Sequence, residues 1–80
     1  MNAIFTNINQ YANVHEAFRL QLLDYISQRY GLQVFVYVMD GFDYPEYPNI
    51  TYSNESDLEQ QFQKFLTKHN PKKVCNFIDY

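Results

Sequence analysis

The sequence predicts a single α+β domain over residues 1–80: a small two-layer sandwich with an antiparallel sheet and two helices on one face, in the ferredoxin-like order β-α-β-β-α-β. Three observations carry this. Short stretches of β-leaning residues recur at 3–8, 32–39, 49–53 and 73–79. Two stretches with helical spacing lie between them, each opened by a capping pair. The third strand reads as a return from the second through a hairpin.

Taken in order, AIFTNI at 3–8 is short and β-leaning. Asn13 and Glu16 have capping-box spacing, and Val14, Phe18, Leu22, Tyr25 and Ile26 then recur on one face, predicting a helix with that face inward. Gly31 supplies its left-handed stop. A rival reading carries this helix back through Ile4, Ile8, Tyr11 and His15, a heptad-like series, but the intervening asparagines are poor helix formers. Leu32 to Met39 is apolar on both faces apart from Gln33, as in a strand covered on both sides. Asn49–Ser53 is the returning strand. Ser56 and Glu59 form a second capping box, opening a helix with Leu58, Phe62, Phe65 and Leu66 inward and ending before Pro71. Lys73 to Asp79 is the last strand. The expected topology places the second strand at a sheet edge although it is the most apolar one. Its edge must then be covered, or pair with a second copy to give a homodimer, or the fold must be an α-β-β-α-β variant with that strand central.

The totals bound the rest. With 46% hydrophobic residues and fifteen Phe plus Tyr, eighty residues can build a core unaided. Cys75 is the single cysteine, so no internal disulfide forms, which favours a reducing compartment. The first residues show no signal-peptide pattern, and the longest wholly apolar run, Val34 to Met39, is far too short for a bilayer. A cytoplasmic protein with no membrane partner is expected. The net charge of −3 is unevenly placed. Asp40, Asp43, Glu46, Glu55, Asp57 and Glu59 fall in a stretch without Lys or Arg, while Lys64, Lys68, Lys72 and Lys73 fall in one without acids. An acidic end and a basic flank follow, a basis for steering a charged partner.

No stretch names a reaction. Asp40, Asp43 and Glu46 step by three, which misses the alternation that hard-cation loops need, and no nucleophile, histidine or anion cradle lies beside them. His69 suits a helix C-terminus and Cys75 a buried strand position. The expectation is therefore no enzyme, no metal and no cofactor. Four lysines are a thin phosphate footprint. Gly31 to Tyr37 resembles an RNA-recognition-module signature but lacks its basic start and falls on the wrong strand. Direct nucleic-acid binding is the alternative, not the main reading.

The sharper signal is the loop after the central strand. There Asp40, Asp43 and Glu46 interleave with Phe42, Tyr44 and Tyr47, near Tyr52, and Pro45 and Pro48 punctuate them. Tyrosines held with little entropy to lose are interface anchors, and interleaved acids suit a basic partner. The predicted partner-binding set is Asp40, Phe42, Asp43, Tyr44, Glu46, Tyr47 and Tyr52. In general character the chain is similar to small phage-encoded inhibitors such as anti-CRISPR proteins: tiny, acidic, with one cysteine, rich in Asn and Tyr. That resemblance implies a protein-binding inhibitor or adaptor on a basic, nucleic-acid-holding protein surface, and it assigns no residue.

Overall fold

A computed structural model of the protein describes residues 1–8, 14–38, 45–53 and 58–77, with side chains of the second stretch from residue 17 onward. Six elements follow one another: β1 (Asn2–Ile8), α1 (Val14–Tyr30), β2 (Gln33–Val38), β3 (Ile50–Ser53), α2 (Leu58–His69) and β4 (Lys73–Phe77). Residues 3–8 are thus strand rather than the start of a long helix. Gly31 closes α1 at φ 66° and Asn70 closes α2 at φ 45°, the left-handed stops that end a helix cheaply.

The order of elements is the expected one, but their directions are not. The strands line up as β3-β2-β1-β4 and every pairing is parallel. This overturns the antiparallel, ferredoxin-like sandwich and its α-β-β-α-β variant. β3 is no hairpin partner of β2; it runs beside it in the same direction, from Val34↔Ile50 to Tyr37↔Ser53. The chain must therefore return the length of the sheet between Val38 and Ile50, within residues 39–49. Parallel neighbours ordinarily use a longer, helical crossover. The described part of this one, 45–49, has no helix.

The helices lie on opposite faces, not on one. Val34, Val36 and Val38 join Ile8, Ile50 and Leu20 of α1 in one core, with Leu23 packed against it. Phe35, one residue out of step on β2, joins Ala3 and Phe65 of α2 in the other, with Phe5, Leu58, Phe62, Leu66 and Val74. Connectivity explains the split. The crossover β1-α1-β2 moves one way across the sheet and β3-α2-β4 moves the other. Both can be right-handed only with their helices on opposite faces. The result is a three-layer α/β/α domain with β2 inside the sheet, which accounts for its apolar residues on both faces. β2 has no open edge; β3 and β4 are the edge strands.

A second correction concerns α1. Of the face expected inward, three residues stand outward, Phe18 59% exposed, Leu22 45% and Tyr25 64%, while Ile26 is half-buried. Leu20 and Ser27 are buried instead. Arg19 fixes this rotation, donating to the Asn7 carbonyl at 2.9 Å and to the Thr6 hydroxyl. Thr6 in turn donates to the Phe77 carbonyl of β4 at 3.0 Å. Thr6 and Asn7 are buried, so turning α1 to bury Phe18 would strand polar groups away from water.

Candidate functional site

In a parallel sheet all strands end at the same edge, here at Ile8, Val38, Ser53 and Phe77. Open α/β sheets present their ligand and partner sites at that edge because the variable connections leave from it. The segments continuing from these four ends are 9–13, 39–44, 54–57 and 78–80, all outside the described residues. Their sequences contribute Asp40, Asp43, Glu55, Asp57 and Asp79, and no Lys or Arg. The opposite edge receives the end of α1 with Arg29, the end of α2 with Lys68 and His69, and the start of β4 with Lys73. Lys72 is tied there through its N–H to the Met1 carbonyl at 2.7 Å.

Part of this polarity is intrinsic to the architecture. Both helices run against the strands, so their N-termini lie at the acidic edge and their C-termini at the basic one, where those charges are mildly stabilising. Asp40 and Asp43 follow β2 and precede no helix in the described chain, so the dipoles do not account for them. A six-residue strand spans about 20 Å, more than twice the Debye length of ~8 Å at physiological salt. The two ends of the sheet are therefore electrostatically independent of one another.

Of the seven residues predicted to contact a partner, Asp40, Phe42, Asp43 and Tyr44 lie outside the described residues. Glu46 is exposed. Tyr47 and Tyr52 are half-buried and pack against the valine core on the α1 face. The Tyr52 hydroxyl donates to the Pro45 carbonyl at 2.7 Å. Ile50 N–H reaches the Tyr47 carbonyl at 3.3 Å, closing a turn with Pro48 at a position its fixed φ suits. Asn49 is tied on both sides, its carbonyl to Val34 N–H at 2.8 Å and its side chain to Gln33 at 3.3 Å. The second half of the loop is thus a rigid return segment whose tyrosines seal the core. Glu46 alone among its predicted site residues stands in solvent.

Sequence reasoning placed the apolar face of α1 inside and so missed a surface feature. Phe18, Leu22 and Tyr25 form a stripe at spacings of four and three, continued by Arg29, with Ala17, Gln21 and Gln28 also exposed beside it. The helix carries apolar residues around its whole circumference. That was the available signal, because a helix with two apolar faces can bury only one against a single sheet. Among the described residues no cluster of three or more His, Cys, Asp or Glu could hold a metal ion, and no helix is long and apolar enough to cross a membrane. Comparison with protein families, curated proteins and solved structures finds no match to this chain.

Proposed function

We propose that the protein is a non-enzymatic protein-binding module, an inhibitor or adaptor of the kind its composition resembles, that docks on a basic protein surface. The observation that carries this reading is the uncovered α1 stripe. Three large apolar side chains stand in line on the outside of a small domain, on a face where Arg29 is the single charge among the exposed residues. Large apolar surface in a row, unlike scattered exposed residues, marks interaction sites.

Charge supplies the partner's chemistry. α1 begins at the edge from which the acidic segments leave, so an approaching basic surface meets the acids and the first turns of the stripe together. Acids at the periphery would steer association, and the aromatic stripe would hold. Phe42 and Tyr44 belong to the same acidic stretch and extend the set of anchors. Tyr47 and Tyr52 serve it by fixing the loop.

The test is affinity capture with the intact protein and two variants, Leu22→Arg and the pair Asp40→Lys, Asp43→Lys, each with a thermal melt. The expected result is one basic partner, lost by Leu22→Arg and taken up more slowly by the lysine pair, with all three melts alike. A partner retained equally by both variants, or one that is acidic, overturns the reading.

A further inference from the structure

On the face of the sheet away from α1, helix α2 leaves the edge strand β3 partly open. Thr51, in register with buried Phe35 on that face, is exposed. Between it and the helix lies a cleft of about 140 Å³. Phe35 and Phe65 form its floor, 1% and 4% exposed, with ring centroids 5.3 Å apart. β3 supplies one wall through Thr51 and Tyr52. The other wall is one stripe of α2, Gln61, Lys64 and Lys68, with His69 closing the end against the Phe65 ring at 4.9 Å.

The charges in this cleft ask for an explanation. Two lysines one turn apart face it, no acid among the described residues lines it, and the protein as a whole carries −3. Like charges at this spacing disfavour a helix. Lys68 and His69 lie in the last turn, where the helix dipole favours cations, but Lys64 lies outside it and the effect has faded there. Around the lysines stand neutral hydrogen-bonding groups, the Thr51 hydroxyl, the Gln61 amide and the His69 ring. Size narrows the occupant further. Pockets for drug-sized ligands and cofactors begin at about 300 Å³, whereas a cavity of about 150 Å³ holds one benzene ring.

We propose that this cleft binds a small oxyanion ligand, a phosphate or carboxylate carried on a single flat ring. The oxyanion lies between the Lys64 and Lys68 ammonium groups, which suit it as compact point charges with rotatable donors. The ring enters over the Phe35 and Phe65 edges, and Thr51 and Gln61 bond the remaining oxygens. This site is separate from the α1 surface, on the other side of the sheet, and stands or falls independently of it.

The experiment is an amide NMR titration of the intact protein with phenyl phosphate, benzoate and inorganic phosphate in parallel. Saturable shifts confined to Thr51 and the 61–69 stretch are expected, at low-millimolar affinity or tighter for at least one ring-bearing anion. Which of those two binds more tightly assigns the oxyanion. Inorganic phosphate should bind at least ~10-fold more weakly than the better ring compound, a difference of about 1.4 kcal/mol. The double variant Lys64→Gln, Lys68→Gln replaces two exposed side chains, keeps the fold by its amide spectrum, and should lose most of the affinity. Absence of saturation, equal binding of inorganic phosphate, or an unchanged affinity in the double variant would each overturn the proposal.

Discussion

Helix α2 meets its face of the sheet through aromatic rings, and α1 meets the other through two leucines and a serine. Phe62 and Phe65 project from α2 into a cluster with Phe5 and Phe35, with centroids 4.6 Å from Phe62 to Phe5 and 5.3 Å from Phe35 to each of Phe62 and Phe65. Across the sheet the facing surface is Val34, Val36, Val38, Ile8 and Ile50, a shallow β-branched surface. There Ser27 is wholly buried, its hydroxyl donating to the Asp24 carbonyl at 2.8 Å. A ring in its place would hold the helix off. The difference teaches how the two helices divide their labour. α2 spends its aromatic residues on the core, whereas α1 anchors itself with Leu20, Leu23, Ser27 and Arg19 and leaves its aromatic ones, Phe18, Tyr25 and Tyr30, outside.

The largest effects should fall at the centres of the two cores. Phe35→Ala removes a ring packed against three aromatic neighbours, Phe5, Phe62 and Phe65, and should cost about 3–5 kcal/mol; Leu20→Ala, its counterpart beneath α1, about 2–4 kcal/mol. Both are read from denaturant melts. Losses below ~1 kcal/mol at either site would mean that the corresponding helix does not pack as described.

Arg19 comes next and tests what sets the rotation of α1. Arg19→Met keeps most of the stem but leaves the Asn7 carbonyl and Thr6 hydroxyl short of a donor, which should cost about 1–3 kcal/mol. If the substitution is neutral, shape alone orients the helix.

The element order, both helices and the inward face of α2 were legible because each rests on local pattern. Leu58, Phe62, Phe65 and Leu66 fall on one stripe, and nothing apolar competes with them on the opposite side. The inward face of α1 was not legible. Phe18, Leu22 and Tyr25 outweigh Leu20, Leu23 and Ile26 in size, and the choice between the stripes is made by tertiary hydrogen bonds from Arg19. Strand direction was misread for a related reason. A crossover is ordinarily announced by a helical pattern, and 39–49 has none, so the return from β2 to β3 resembled a hairpin. The apolar residues on both faces of β2 were the better guide, since they belong to the inside of a parallel sheet. Of the candidate site, the charge segregation could be read directly. The stripe on α1 and the cleft beside α2 could not, because both depend on which way the helices face.

Phe18→Ala sharpens the comparison from the other side. As an inward residue it would cost several kcal/mol; at 59% exposure it should cost less than ~1 kcal/mol while weakening partner capture. A large loss of stability would turn the helix over and return Phe18 to the core.

The smallest effect distinguishes the ends of the two helices and is read as a slope. At the end of α2, burial against Phe65 and then the neighbouring Lys68 charge lower the titration of His69 below its ordinary 6.5. Above 6.5 the ring is neutral whether the chain is folded or not, so it contributes no pH dependence. As pH falls through 6.5 the unfolded chain takes up the proton first, and stability declines. The decline stops once pH passes below the folded value and both states are charged. The loss should be small, because the ring is only half-buried and water screens Lys68. It is isolated by subtracting the pH–stability curve of His69→Gln from that of the intact protein, which cancels His15 and the carboxylates. The difference curve should be flat above 6.5 and fall below it. A rise on acidification would mean that the folded chain stabilises the imidazolium, and hence that the dipole at the end of α2 outweighs burial and Lys68 together.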